Sequence, residues 1–152
     1  MTEFFTLESP NQALQTLKDQ LTGPLESEAI PSAEALNRTL STNITSPSDL
    51  PAFPRSTMDG YAVRAEDTYG ATPNMPAYLS LAGEIHMGTT PSFKLEAAQA
   101  ALIHTGGMLP ENADAVIMIE NTQTSREDEI EIFNPVSVGE NILNVGEDVT
   151  KG

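Results

Sequence analysis

The chain has 152 residues, enough for one ordinary domain or two small lobes. Its net charge of −15, from 22 acidic and 7 basic residues, repels phosphate backbones and anionic lipid, which argues against nucleic-acid and membrane-surface roles. Cysteine is absent, which removes disulfides and thiolate metal sites, and aromatics at 5% leave a mostly aliphatic core. The opening "MTEFFTLESP" lacks the basic and apolar regions of a secretory signal, and apolar runs such as Ala115 to Ile119 are strand-sized. The chain reads as soluble and intracellular.

In chain order, residues 9 to 21 predict a helix. Ser9 caps it, Pro10 suits its first turn, and Ala13, Leu14, Leu17 and Leu21 share a face, with Thr22 to Pro24 ending it. After an extended "SEAIP", Ser32 opens a second short helix, "SAEALNRTL", with Ala35, Leu36 and Leu40 as its buried side. Three prolines between Ser46 and Pro54 rule out regular structure and make this a connector of fixed path. Short strands then alternate with turns: "GYAVR", "AYLSLAG", "ALIHTG", "DAVIMIE" and "EIEIFNPVSV". Between two of them, "KLEAAQAA" predicts one or two helical turns. The closing "NVGEDVTKG" reads as a cut through a longer chain, which a ragged natural terminus would resemble.

Three loops attract attention. Asp59-Gly60 is a favoured pair for a type I′ turn, and a structural role is the first reading of such an aspartate. Arg55 and Arg64 flank it, and either would hold the carboxylate ionised or meet an anion beside it. In "HTGGMLP", Gly106 and Gly107 leave backbone N–H groups free to face a phosphate or oxyanion, with Thr105 adding a hydroxyl. Without Gly-Lys-Ser/Thr this is not a P-loop, and His104 and His86 read as ordinary strand-end side chains. Glu127, Asp128, Glu129 and Glu131 form a solvated turn and strand edge rather than a metal site. Glu147-Asp148 is an acidic loop pair with no assigned task. The residues alone describe an acidic, sheet-rich domain with these three loops.

At the same loops a family resemblance emerges. "LPAFPRSTMDGYAVRAEDT" resembles the signature of the MoeA family of molybdopterin molybdenumtransferases. "AGEIHMG", "ALIHTGGMLPENADAVIMIE" and "VGENILNVGEDVTKG" follow in that family's order, and the opening helix and linker are similar as well. The resemblance covers essentially the whole chain. It implies a mainly β, α+β fold of bifurcated, coiled β-sheets, with an N-terminal helix in a linking lobe. That lobe would take residues 1–50, joined by 139–152, and the β-rich lobe residues 51–138. The pterin-binding α/β domain and the C-terminal barrel domain of a much longer enzyme would lie outside the chain.

The resemblance further implies a cytoplasmic homodimer that inserts molybdate into adenylylated molybdopterin, uses Mg²⁺ and releases AMP. Molybdopterin adenylyltransferase would be its pathway partner, and the chain alone would be inactive. By motif, Asp59, Thr105 and Asp148 become the catalytic candidates, with Gly106 and Gly107 as cofactor-binding positions and the main Mg²⁺ site elsewhere. Three departures from the family pattern stand out. Pro54-Arg55 replaces an Asp-Asn pair, Asn37 stands where glycine is common, and Ile142 to Val145 lack the arginines that usually precede Gly-Glu-Asp. The last of these, with the net charge of −15, supports an alternative, a diverged non-catalytic scaffold or interaction module that retains the fold.

Overall fold

The computed structural model describes residues 7–21, 23 and 25–152, in two compact units, 1–44 and 45–152. No helix among the described residues is long and apolar enough to cross a membrane.

In the first unit, helix α1 spans Pro10–Gln20. Its start follows the local chemistry of its first turn. The Ser9 hydroxyl accepts from the Gln12 amide at 3.3 Å, and the Gln12 side chain accepts from the Ser9 amide at 3.1 Å. This reciprocal box satisfies two donors that a helix start leaves open. Thr22 and Pro24, the expected terminators, lie outside the described residues. α1 buries none of its residues.

The second predicted helix is corrected to a single 3₁₀ turn, Ser32–Glu34. Asn37 takes φ +64°, a left-handed conformation that ends helical winding and that asparagine tolerates better than most residues. Leu36 and Leu40 are consequently exposed rather than buried.

The second unit is mostly β. Its strands are β1 (Arg55–Ser56), β2 (Gly60–Val63), β3 (Ala77–Ile85), β4 (Gln99–Ile103), β5 (Ala115–Met118), β6 (Thr122–Arg126), β7 (Glu129–Ile132) and β8 (Ile142–Leu143). Six form one sheet in the order β5-β2-β4-β3-β7-β6, and β1 pairs with β8 in a second, two-stranded sheet. Only β3 and β4 pair in parallel. In the second unit the closing segment pairs back on earlier chain: β8 pairs with β1 and Val149 bridges Leu50.

β2 is buried on both faces, which explains its unbroken apolar run. Tyr61 and Val63 join a core with Leu79, Ala100, Ile117, Ile130 and Ile132. Ala62 enters a second core with Ile85, Leu95, Ala101, Ile103 and Val116. The predicted helical turns in "KLEAAQAA" are absent, since Ala98 sits at φ +56° and Ala100 and Ala101 lie inside β4. Both alanines are fully buried, Ala100 in the first core and Ala101 in the second.

A bulge in β3 decides where one acidic side chain goes. Leu81 opposes Ala100, but Gly83 opposes Ala101, so Ala82 is an extra residue. One inserted residue exchanges the faces of everything after it. Leu79 therefore enters the first core and Ile85 the second, although both are odd-numbered. Glu84 is turned out of the second core and set opposite Leu102, on the face that His104 continues.

Candidate functional site

Asp59 lies in the loop between β1 and β2. Hydrogen bonds fix that loop, among them one from the Thr57 amide to the Asn141 carbonyl at 3.0 Å. The Ser56 hydroxyl donates to the Met58 carbonyl at 2.5 Å, and the Ile119 amide donates to the Asp59 carbonyl at 3.2 Å. Neither Asp59 nor Gly60 has a positive φ, so the expected type I′ turn is corrected. Gly60 is instead the first residue of β2, packed against β5. A Cβ there would stand 1.9 Å from the Ile117 carbonyl oxygen. Glycine is needed for close backbone approach, not for a turn.

The segment 104–107 is zipped to β1. The Gly106 amide donates to the Ser56 carbonyl at 2.8 Å, and the Ser56 amide donates to the Gly107 carbonyl at 3.0 Å. This brings Thr105 to Asp59 across 46 positions of sequence. The Thr105 amide donates to Asp59 Oδ1 at 2.8 Å and its hydroxyl to the same oxygen at 3.2 Å. His104 Nδ1 lies 3.8 Å from that oxygen as well. The two Thr105 hydrogen bonds, backbone first, hold the Asp59 carboxyl below its usual range against desolvation, and His104 adds the smallest contribution in the same direction. Among the described residues, Oδ2 has no hydrogen-bond partner and remains available to a ligand.

The expected arginine partners of Asp59 are corrected. Arg64 pairs with Glu66 and, at 3.6 Å, with Asp67. Arg55 reaches Asp148, also at 3.6 Å. The basic side chain near Asp59 is His104, one of two histidines expected to be ordinary strand-end side chains. Its usable signal was position, because His104 directly follows β4 and precedes Thr105. Recognising that signal required knowing that β3 and β4 run in parallel.

Asp148 has surroundings of its own. Its amide donates to the Leu50 carbonyl at 3.0 Å, and its carboxylate faces Arg55. Arg55 stands opposite Leu143 in the β1–β8 pair, so β1 supplies a guanidinium beside the uncharged Ile142 to Val145 segment. Among the described residues no hydrogen bond or ion pair joins Asp148 to Asp59 or Thr105. β1 connects the two places, with Arg55 toward Asp148 and Ser56 toward the Thr105 loop.

Both amides of the Gly-Gly pair are committed, Gly106 to Ser56 and Gly107 to the His104 carbonyl at 2.8 Å. Gly106 instead offers room: φ is +83° and an added Cβ would meet nothing within 4 Å. Glu127 and Asp128 form the β6–β7 turn, exposed to solvent. Among the described residues no group of three or more His, Asp or Glu side chains is placed to hold a metal ion. An open groove lined by Phe93, Lys94, Met108, Leu109 and Glu111 contains none of the candidate residues.

Comparison with known proteins agrees with the order of these loops. Residues 8–152 match the family model described as the MoeA N-terminal region, domain I and II. The molybdopterin molybdenumtransferase of Bacillus subtilis is 38% identical over 84% of this chain, and that of Haemophilus influenzae is 36% identical over 93%. A solved molybdopterin biosynthesis MoeA protein from Pyrococcus horikoshii superposes with a TM-score of 0.81 at 37% identity, covering 93% of this chain and 37% of that one. The chain spans only about a third of its relatives' length, 30% and 34% for the two enzymes. With its β-rich second unit and residues 8–152 matching that model, the chain belongs to the MoeA family, whose N-terminal region it carries.

Proposed function

We propose that the chain is the N-terminal part of a molybdopterin molybdenumtransferase, which inserts molybdate into adenylylated molybdopterin and releases AMP. The observation that carries this reading is the Asp59–Thr105 contact. It joins two separate family motifs at one carboxylate whose Oδ1 is occupied and whose Oδ2 is free. Moving oxygen from molybdate to water requires proton transfer, and an ionised, solvent-facing carboxylate is suited to it. Thr105 holds that carboxylate ionised through both its amide and its hydroxyl.

The rest of the reading follows from the family. The enzyme is a cytoplasmic homodimer that works after molybdopterin adenylyltransferase in cofactor synthesis. The unburied face of α1 supports a partner for the N-terminal unit. Magnesium belongs to ligands beyond the residues described, and the 152-residue chain alone is inactive. A scaffold role, suggested by the uncharged Ile142 to Val145, is opposed by the guanidinium that Arg55 brings to Asp148.

Asp59→Asn in the full-length protein tests the proposal, because asparagine keeps an oxygen acceptor for Thr105 and removes the titrating carboxylate. Molybdenum insertion is expected to fall roughly 10²-fold or more, the usual loss of a positioned proton-transfer group. Undiminished insertion refutes the role of Asp59. Absence of calorimetric heat with molybdopterin in the wild-type protein favours the scaffold, and turnover by residues 1–152 alone overturns the division of labour.

A further inference from the structure

The two histidines of the chain converge on one carboxylate oxygen. Glu84 Oε1 lies 3.3 Å from His104 Nε2 and 3.5 Å from His86 Nδ1. The other ring nitrogen of His104, Nδ1, faces Asp59 Oδ1 at 3.8 Å. The His104 ring therefore spans two carboxylates that come from different elements, Asp59 from the β1–β2 loop and Glu84 from β3. The bulge at Ala82 is what makes the span possible, since without it Glu84 would face the core with Ile103.

We propose that His104, held by Glu84, is a positioning residue for Asp59, keeping Oδ1 turned toward Thr105 and Oδ2 presented outward. A carboxylate on one ring nitrogen fixes the orientation of an imidazole and the group its other nitrogen addresses. The role assigned to Asp59 rests on the function proposed above, whereas the coupling between the three side chains does not.

The groups facing His104 are Asp59 and Glu84, and His86 faces Glu84 from beyond. No Lys or Arg pairs with any of these four among the described residues. With both rings protonated, their charges offset those of the two carboxylates. With both neutral, the carboxylates stand uncompensated and oppose an anionic ligand. His104, Asp59 and Glu84 are each partly solvated, at 45%, 64% and 42% side-chain exposure, so the coupling is that of a surface pair.

The test is a ¹³C NMR titration of the Asp59 carboxyl in this chain, in wild type, His104→Ala, Glu84→Gln and the double variant. His104→Ala is expected to raise the Asp59 midpoint, and His104→Lys to bring it back by restoring a cation. The His104→Ala shift is expected to shrink in the Glu84→Gln background, since Glu84 acts through the ring. An Asp59 midpoint that His104→Ala leaves in place overturns the proposal, as does an equal shift in both backgrounds. In the full-length enzyme His104→Ala should lower kcat/KM by roughly two- to fivefold, the scale of an exposed ion pair. A wild-type enzyme that inserts no molybdenum overturns the enzymatic reading alone, because the titration needs no turnover.

Discussion

Thr105 binds Asp59 twice, through its amide at 2.8 Å and its hydroxyl at 3.2 Å, and both donors meet the same oxygen. Hydrogen bonds to the charged form favour it, so the carboxyl titrates below its ordinary range. For a carboxylate with a depressed pKa, the anion and its contacts persist as pH falls past the ordinary value. They are lost only on passing through the lower, folded-state value.

Thr105→Val removes the hydroxyl and keeps the amide. The Asp59 midpoint should rise part of the way toward that of a free aspartate, and the acid limb of molybdenum insertion should move to higher pH. Thr105→Ser should leave the limb where it is. The pH dependence of insertion by the full-length variants is the measurement, and coincident acid limbs for valine and threonine count against the contact.

Gly60→Ala should be among the most damaging single-methyl changes in the chain. The new Cβ would sit 1.9 Å from the Ile117 carbonyl oxygen and 3.0 Å from Met118 Cα, both backbone atoms that no rotamer change relieves. β2 must move off β5, at a cost of about 3 kcal/mol or more from overpacking and lost ladder bonds. Gly106→Ala meets open space and strains only its backbone at φ +83°, costing roughly 1–2 kcal/mol. Denaturant midpoints of the two variants should rank in that order, and equal midpoints would contradict the close-approach account.

Much of the β lobe was legible because its strands are short, apolar and bounded by turn residues. β5 and β2 announce themselves through Ala115 to Met118 and Tyr61 to Val63. β6 was not predicted: Thr122 to Arg126 is almost entirely exposed and carries no apolar period, so only its pairing with β7 defines it. The alanines of "KLEAAQAA" have high helix propensity, and the pairing of β4 with β2 and β3 overrides that preference. The site was half legible. Motifs singled out Asp59 and Thr105, but their contact, and the part played by His104 and Glu84, depend on a parallel strand pair and a bulge with no short-range signature.

Asp114 shows how a motif aspartate serves the fold. Its Oδ1 accepts from the Ala65 amide at 2.6 Å, and the following 3₁₀ turn presents Thr68, whose buried hydroxyl accepts from Val136. Asp114→Ala leaves a buried donor at Ala65 without a partner, and stability should drop by about 1–3 kcal/mol. Asp114→Asn, which retains an acceptor, should lose less. The Asp59 midpoint should be the same in both variants, separating this structural carboxylate from the one in the site.

Arg55 and Asp148 stand 3.6 Å apart with both side chains substantially solvated. Such a pair contributes little to folding, about 0–1 kcal/mol, and salt screens it. In a double-mutant cycle of Arg55→Gln and Asp148→Asn, the coupling in stability should fall in that range and fade as salt is raised. Its consequence for function is expected to be larger. Arg55 is the cation placed beside Asp148 on the β1–β8 pair, where Ile142 to Val145 offer none. Arg55→Gln in the full-length protein should therefore weaken binding of the anionic substrate more than it weakens the fold. The measurement is KM for adenylylated molybdopterin beside the denaturant midpoint. A KM that stays constant while the midpoint drops would assign Arg55 to the fold alone.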